Sequence, residues 1–164
     1  MNSKNRTGQE TNILLHNIRS VYNVGAIFRT ADAVAISKIY LTGYTPTPID
    51  KFGLARKDFA KCALGSEKSV NWEHAKSPTG LINRLKKDGF KIISVEQSKK
   101  SVDYKKAKLG SKNLVIFGNE VSGISKSIIE KSDIIAEIPM RGKKESLNIS
   151  VSAGIVLFHW FDCV

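Results

Sequence analysis

Two short apolar runs in the last third of the chain, each followed by a glycine-bearing loop, constrain the fold most. The runs span residues 113–117 and 134–138, and they are rich in the β-branched and aromatic residues that form buried strands. The loops span residues 118–125 and 139–145, and a helical pattern begins at residues 146–150. Because parallel strands end at a common edge of a sheet, these loops could surround one small ligand there.

The rest of the chain alternates strand-like and helical patterns. Strand candidates lie at residues 12–16, 38–43 and 90–95. Helical periodicity spans residues 26–36 and 78–88. This alternation predicts an α/β domain with a mostly parallel sheet and helices on both of its faces.

An apolar helix is predicted at residues 148–161. Its apolar residues surround the whole circumference instead of forming one stripe, which indicates burial on more than one side. We expect the protein core on one side and a second copy of the chain on the other, so the sequence predicts a homodimer. The 164 residues fit a single domain, 1–164, in which residues 1–10 are expected to form a flexible tail.

The chain is strongly basic. Its 26 Lys and Arg residues against 15 Asp and Glu residues give a net charge of +11, which favours phosphate-bearing partners such as RNA or DNA. Residues 53–64 interleave Arg56, Lys57 and Lys61 with aromatic and aliphatic side chains. That segment could grip a nucleic acid, or it could be an ordinary amphipathic surface helix.

Cysteine and hydropathy patterns exclude several classes of protein. Cys62 and Cys163 form no CxxC pair or histidine-rich cluster, so we predict neither a disulfide framework nor a metal site. No apolar run approaches the ~18 residues that span a bilayer, and the N-terminal segment has no apolar core of signal length. We expect a soluble protein of the reducing cytoplasm.

The loop after the first of these apolar runs has the glycine spacing of a phosphate-binding P-loop. However, Ile124 follows Gly118 and Gly123 where that motif needs a lysine to reach the terminal phosphates. The first predicted strand is also not followed by a GxGxxG sequence, so the usual dinucleotide loop is missing. Neither an NTPase nor a Rossmann-type nucleotide site is therefore predicted.

Three segments of the chain resemble, in order, the motifs of the SpoU/TrmH family of the SPOUT class. They are residues 23–31, 115–124 and 138–150. Members of this family are RNA ribose 2′-O-methyltransferases that use S-adenosylmethionine. The resemblance covers nearly the whole chain, and it implies a C-terminal deep trefoil knot that holds the cofactor.

The resemblance also assigns roles to individual residues. It implies cofactor contacts at Val95, Gly118, Ile138, Met140, Ser146 and Leu147. It implies catalytic roles for Arg29, Asn23, Glu120, Asn148 and Ser146, with Asn23, Glu120 and Asn148 holding Arg29 and the ribose. Because arginine is normally protonated, a clamp on the phosphate and the ribose hydroxyl suits Arg29 better than a literal general base, and the base role stays open.

Two of these residues also have simpler interpretations. Arg29 lies on the polar side of the helix predicted at residues 26–36, where it could be a solvated residue paired with Asp32. Asn23 could cap the start of the same helix. The sequence alone leaves these alternatives open.

The substrate implied by the resemblance and by the charge is RNA, either tRNA or rRNA. The chain has no room for the additional N-terminal RNA-binding domain of some relatives, and it ends after the predicted knot helix. We therefore expect RNA to be recognised by the surface of the dimer. Two alternatives remain: a non-catalytic RNA-binding or assembly protein on the same scaffold, and a SPOUT enzyme that methylates a base nitrogen.

Overall fold

The computed structural model describes residues 8–161, which form a seven-stranded sheet and six α-helices. Strands β1–β7 span Glu10–His16, Lys38–Thr42, Trp72–His74, Lys91–Val95, Val102–Asp103, Lys112–Phe117 and Ile134–Glu137. Helices α1–α6 span Val21–Ala33, Lys57–Ala63, Ser66–Ser69, Pro78–Lys87, Lys126–Ile129 and Ile149–Trp160. A single 3₁₀ turn, Tyr104–Lys106, follows β5.

The sheet has the strand order β3-β2-β1-β6-β4-β7-β5, and every neighbouring pair is parallel. This confirms the predicted α/β fold and makes the sheet entirely parallel across the described strands. The segments after β1, β6, β4 and β7 therefore leave the sheet at the same edge. That edge brings the three motif segments together, although they are far apart in the sequence.

Helices cover both faces of the sheet, as the sequence predicts. On β1, Ile13 and Leu15 pack into a cluster with residues of α1, α2 and α6, whereas Leu14 packs into a second cluster with α4 and α5. The same alternation holds on β6, where Val115 faces the first cluster and Ile116 the second. Both faces of the central strands are thus buried, which explains why their sequences read as continuous apolar runs.

Helix α1 begins five residues before the predicted start at Ala26 and ends at Ala33, before the predicted end at Ile36. Ser20 is its N-cap, because the Ser20 Oγ accepts a hydrogen bond from the backbone N–H of Asn23 at 3.3 Å. Asn23 therefore lies in the first helical turn, and the interpretation of Asn23 as the cap is wrong. Beyond the helix, Ala35 has a φ of +54°, a conformation that cannot continue a right-handed helix.

The predicted flexible tail at residues 1–10 is wrong at its last residue. Strand β1 begins at Glu10, whose backbone N–H donates to the carbonyl of Ser111 at 2.9 Å. This pairing extends β1 two residues beyond the predicted start at Asn12. Residues 1–7 lie outside the described residues, so the prediction for them is not tested.

Helix α6 begins after Asn148, whose side chain caps it by accepting from the backbone N–H of Ser150. Its buried side chains are Ala153, Val156, Leu157 and Trp160. Val151 stays 48% exposed, so one side of α6 packs on the core while another is only partly covered. Within residues 8–161 no helix has the length and apolarity needed to cross a bilayer. The trefoil knot stays a prediction.

Candidate functional site

A cleft of about 760 Å³ opens at the edge of the sheet where β4, β6 and β7 end. Its wall includes all six residues that the family resemblance assigns to the cofactor, namely Val95, Gly118, Ile138, Met140, Ser146 and Leu147. Glu120 and Asn148, which were assigned catalytic roles, line the same cleft. The arrangement gathers residues from four chain segments, and their contacts with a ligand stay a prediction.

One wall of the cleft is a closed loop, residues 118–124. Asn119 and Gly123 exchange two backbone hydrogen bonds, at 2.9 and 3.1 Å. A Cβ at Gly118 would lie 2.6 Å from the Gly123 carbonyl oxygen, so only glycine fits there. Gly123 has a φ of +69°, and the Glu96 carboxylate packs against its Cα while accepting the backbone N–H of Ile124 at 2.9 Å.

The facing wall is an open loop, residues 139–147. The backbone N–H and C=O groups of Met140 and Leu147 make no hydrogen bond within the described part of the chain. The side-chain amide of Gln97 donates to the Glu145 carbonyl and ties this loop to the end of β4. Unpaired backbone donors and acceptors on a cleft wall are available to a flat polar heterocycle, which such groups recognise by hydrogen bonding.

Beside the cleft, Glu120 joins the three motif segments through hydrogen bonds. Its carboxylate accepts the backbone N–H groups of Arg19 at 3.0 Å and Ser20 at 3.2 Å, and the side-chain amide of Asn23 at 3.2 Å. The Asn148 amide then donates to the Asn23 Oδ1 at 3.1 Å. The structure thus brings together Asn23, Glu120 and Asn148, one from each motif.

The charge of Glu120 fixes the direction of this chain of amides. Burial alone would raise the pKa of the Glu120 carboxyl, but hydrogen bonds from Arg19, Ser20 and Asn23 outweigh it and hold the pKa below the usual 4.5. An ionised carboxylate only accepts, so Asn23 must point its NH₂ at Glu120 and its oxygen at Asn148. The oxygen of Asn148 accepts from the N–H and hydroxyl of Ser150, at 2.9 and 2.6 Å.

Arg29 stands apart from this cluster. It is exposed on α1, about 9 Å further along the helix axis than Asn23 at 1.5 Å per residue. Within the described residues of this chain its side chain makes no hydrogen bond or ion pair, so the expected contacts with Asn23, Glu120 and Asn148 are not present. The alternative pairing with Asp32 is also wrong, because no ion pair joins the two side chains within the described residues, and the Asp32 carboxylate instead accepts the Ser69 hydroxyl at 2.6 Å.

Sequence reasoning missed the residues that follow Val95. Glu96, Gln97 and Ser98 line the cleft, and the first two hold the closed and open loops, respectively. The available signal was their position directly after a predicted strand that ends at the same edge.

The polar groups around the cleft are suited to binding and orienting a ligand. It consists of backbone groups, amides, hydroxyls and carboxylates, and residues 8–161 contain no group of three or more His, Cys, Asp or Glu side chains that could hold a metal ion. Such a site can hold a nucleoside-like molecule and orient a hydroxyl group beside it.

Sequence comparison identifies the family. The profile of the SpoU rRNA methylase family matches residues 10–158. The chain belongs to this family. A tRNA (guanosine(18)-2′-O)-methyltransferase from Aquifex aeolicus is 33% identical over 146 residues, which are 89% of this chain and 66% of that protein. A tRNA/rRNA methyltransferase from Mycoplasma genitalium is 32% identical over 152 residues, 92% of this chain and 60% of that protein.

Solved structures of family members share the fold. The A. aeolicus TrmH/SpoU tRNA modifying enzyme superposes with a TM-score of 0.82 at 29% identity, over 94% of this chain and 75% of that one. The AdoMet-bound rRNA methyltransferase from Sinorhizobium meliloti gives 0.81 at 27% identity, over 92% of this chain and 55% of that one. The chain thus spans only 60–66% of the length of the curated relatives described above.

Proposed function

We propose that this protein is an S-adenosylmethionine-dependent methyltransferase that acts on a ribose 2′-hydroxyl of tRNA or rRNA. The observation that carries the proposal is the hydrogen-bonded set Glu120, Asn23 and Asn148, which links the three family motifs beside one cleft. Family membership and the names of the relatives support the reaction type. The net charge of +11 supports an RNA substrate.

The cleft suits the cofactor in size and in chemistry. Its volume of about 760 Å³ lies within the usual range for small-molecule sites. Gly118 lets the closed loop fold tightly against Gly123 and Ile124, while Met140 and Leu147 offer unpaired backbone groups on the open loop. When bound, S-adenosylmethionine supplies an electrophilic methyl group. The protein therefore has to hold the acceptor hydroxyl in line and make it more nucleophilic.

The polar residues beside the cleft can perform that orientation. Asn148 and Asn23 are fixed by the ionised Glu120, so their amides meet the ribose in one preset arrangement. Arg29, whose side chain is unpaired within the described residues, is free to bind an RNA phosphate and to polarise the neighbouring hydroxyl. Ser146 lies on the cleft wall and is proposed to contact both the cofactor and the reacting ribose.

Transfer of a labelled methyl group from S-adenosylmethionine to total RNA, followed by mapping of the modified nucleotide, tests the proposal. Label on a ribose of tRNA or rRNA is the expected outcome. Label on a base nitrogen would identify a base methyltransferase instead. RNA binding without any transfer would identify a non-catalytic RNA-binding protein.

Arg29 gives the sharpest mutational test of the mechanism. We expect Arg29→Ala to lower single-turnover methylation about a hundredfold or more, with stability and cofactor affinity nearly unchanged. Arg29→Lys should rescue little, because an ammonium group lacks the planar fork that holds two oxygens. Arg84→Ala is the matched control, since Arg84 is also a surface helix residue with a side chain 58% exposed. Near-wild-type rates in both Arg29 variants would remove Arg29 from the mechanism.

We also propose that residues 1–164 form one cytoplasmic domain that pairs as a homodimer through α6. Val151 on α6 is 48% exposed and apolar, whereas Trp160 is buried in its own chain and is unsuited to an interface test. In light scattering at micromolar concentration we expect a dimer for the wild type and a shift towards monomer for Val151→Glu. Leu64→Glu, at another exposed apolar position, is the control. A monomeric wild type would contradict this proposal.

A further inference from the structure

Tyr44, two residues after β2, is held at both ends although its ring lies in solvent. The residue is 60% exposed. Its backbone N–H donates to the Asn17 Oδ1 at 3.3 Å, and its hydroxyl accepts a hydrogen bond from the Asn119 side-chain amide at 2.9 Å. The next residue, Thr45, is buried and bonds the carbonyl groups of Leu15 and Thr42 through its hydroxyl. An exposed ring with this anchorage is preorganised, so little side-chain entropy is left to lose on binding.

The Tyr44 hydroxyl is anchored to the catalytic edge of the molecule. Asn119 is only 9% exposed, and its amide also donates to the Asn17 carbonyl at 2.9 Å. Its oxygen accepts the backbone N–H groups of Val121 and Ser122, at 2.9 and 2.8 Å. Glu120, which orients Asn23 and Asn148, is the next residue in the chain. The Tyr44 ring is thus attached to the same loop as the proposed ribose-binding amides.

The backbone at Asn17 has the conformation needed to accept the N–H of Tyr44. Asn17 adopts a φ of +56°, a conformation that asparagine tolerates better than most residues. Its side-chain amide bonds the Nε2 of His16 at 3.1 Å, and the His16 Nδ1 bonds the Thr42 hydroxyl at 2.9 Å. These bonds fix the Asn17 oxygen that receives the Tyr44 N–H.

We propose that Tyr44 is a stacking platform for an RNA base next to the methylated nucleotide, which makes it an RNA-binding residue. This inference rests on the proposed function, because it requires the target ribose to lie beside Glu120, Asn23 and Asn148. A ring whose hydroxyl is occupied offers its face to a partner, and splayed RNA bases stack on such faces. The basic charge of the chain favours RNA over an apolar protein segment as that partner.

The test compares Tyr44→Ala with Tyr44→Phe on the RNA that the labelling experiment identifies, transcribed without modifications. Tyr44→Ala removes the ring, and we expect RNA affinity to fall about 5- to 140-fold, equivalent to roughly 1–3 kcal/mol at 1.4 kcal/mol per tenfold. Tyr44→Phe keeps the ring and should stay within about threefold of the wild type. Affinity for S-adenosylhomocysteine should be unchanged in both variants.

A direct readout of stacking uses 2-aminopurine placed on either side of the target nucleotide in a synthetic RNA. Its fluorescence should be quenched by the wild type and by Tyr44→Phe, but not by Tyr44→Ala. Phe52→Ala is the matched control, because Phe52 is 74% exposed on another loop and does not contact Asn119. Quenching should survive in that variant, and its loss there would overturn the assignment to Tyr44.

The remaining outcomes separate the inference from the function on which it rests. Equal losses of RNA and cofactor affinity in Tyr44→Phe and Tyr44→Ala would reduce Tyr44 to a structural support of the closed loop. Wild-type RNA affinity in Tyr44→Ala, with methylation intact, would overturn the inference alone. A wild type that neither binds nor methylates RNA would overturn the proposed function together with it.

Discussion

The two loops that face each other across the cleft are built in opposite ways. Both follow parallel strands, both contain glycine, and both carry residues of the family motifs. The closed loop, residues 118–124, bonds to itself, to Glu96 and, through Asn119, to Asn17 and Tyr44. The open loop, residues 139–147, is mostly exposed and keeps several backbone groups unpaired.

This difference shows which part of the site has a fixed geometry before any ligand binds. The closed loop carries Glu120, which orients the amides beside the cleft, and that geometry must exist before a substrate arrives. The open loop carries unpaired backbone groups, and in the proposed function these groups only have to contact the cofactor. If binding fixes residues of this loop, each costs roughly 1–2 kcal/mol of conformational entropy.

Gly118→Val should have the largest effect on this comparison. The added Cβ would lie 2.6 Å from both the Gly123 carbonyl oxygen and the Ile124 Cγ1, so the closed loop must distort. We expect the free energy of unfolding to fall by about 1–3 kcal/mol and S-adenosylhomocysteine affinity to fall by up to about a hundredfold. Urea unfolding and calorimetric titration measure both. Gly142→Val is the control on the open loop, where a Cβ meets nothing within 4 Å, and equal losses there would contradict the comparison.

The next largest effect is expected from Asn119→Ala. This change removes the side chain that bonds Asn17, Tyr44, Val121 and Ser122, and it leaves partly buried groups without these partners. We expect a loss of about 2 kcal/mol in the free energy of unfolding, measured in urea.

Ser146→Ala is the matched change on the open loop, because the Ser146 hydroxyl has no hydrogen bond within the described residues. Its effect on the free energy of unfolding should stay within about 0.5 kcal/mol. The comparison would be wrong if the two variants were equally stable.

Trypsin should detect the ordering of the open loop by the cofactor. Arg141, Lys143 and Lys144 are exposed there, and we expect saturating S-adenosylhomocysteine to slow cleavage after them about tenfold. Cleavage after Lys51, which is exposed on a loop outside the cleft, should not change. Mass spectrometry of the first fragments distinguishes the sites. Unprotected cleavage at residues 141–144 under conditions where the ligand raises the Tm would show that the open loop does not close on it.

The smallest expected effect is a dependence of the free energy of unfolding on pH. It is caused by His16, which bonds the Asn17 side chain behind the closed loop. Burial lowers the pKa of His16 below its ordinary 6.5, so the native state binds fewer protons than the unfolded state as the pH falls. Stability is therefore full above pH 6.5 and declines below it, by less than about 1 kcal/mol because the ring is partly exposed. Urea unfolding at pH 7.5 and 5.5 measures this decline, and His16→Gln should abolish it. An unchanged decline in that variant would assign it to another group.

The parallel sheet and most of its strands could be predicted, because strands buried on both faces leave continuous apolar runs in the sequence. β5 could not, since Val102–Asp103 is only two residues long and lies in a lysine-rich segment. The start of α1 was missed for a different reason. The residues around Ser20 and Asn23 look like a polar loop, and the Glu120 carboxylate that pairs with their N–H groups lies 97–100 residues away.

The residues of the candidate site also include some that the sequence could predict and some that it could not. The motif resemblance could single out six residues that line the cleft wall, because the motifs are local in sequence, and their contacts with the cofactor stay a prediction. It could not reveal Glu96, whose role depends on a bond to the N–H of Ile124, 28 residues further along. The anchorage of the Tyr44 hydroxyl likewise depends on Asn119, 75 residues away. Contacts of this kind leave no periodic signal.

The central pairing of β1 with β6 also has a consequence for how the chain acquires its structure. Asn12 lies opposite Leu114, and Arg19 bonds Glu120, 101 positions further along, so the middle of the sheet joins the first strand to the last third of the sequence. Closing such long loops costs conformational entropy before any stabilising contact forms. Parallel pairing of strands that are distant in sequence therefore makes folding slow. One edge of β1 can pair with β2 early in synthesis, whereas its other edge must wait for β6. The centre of the sheet is therefore completed only after residues 112–117 have been synthesised.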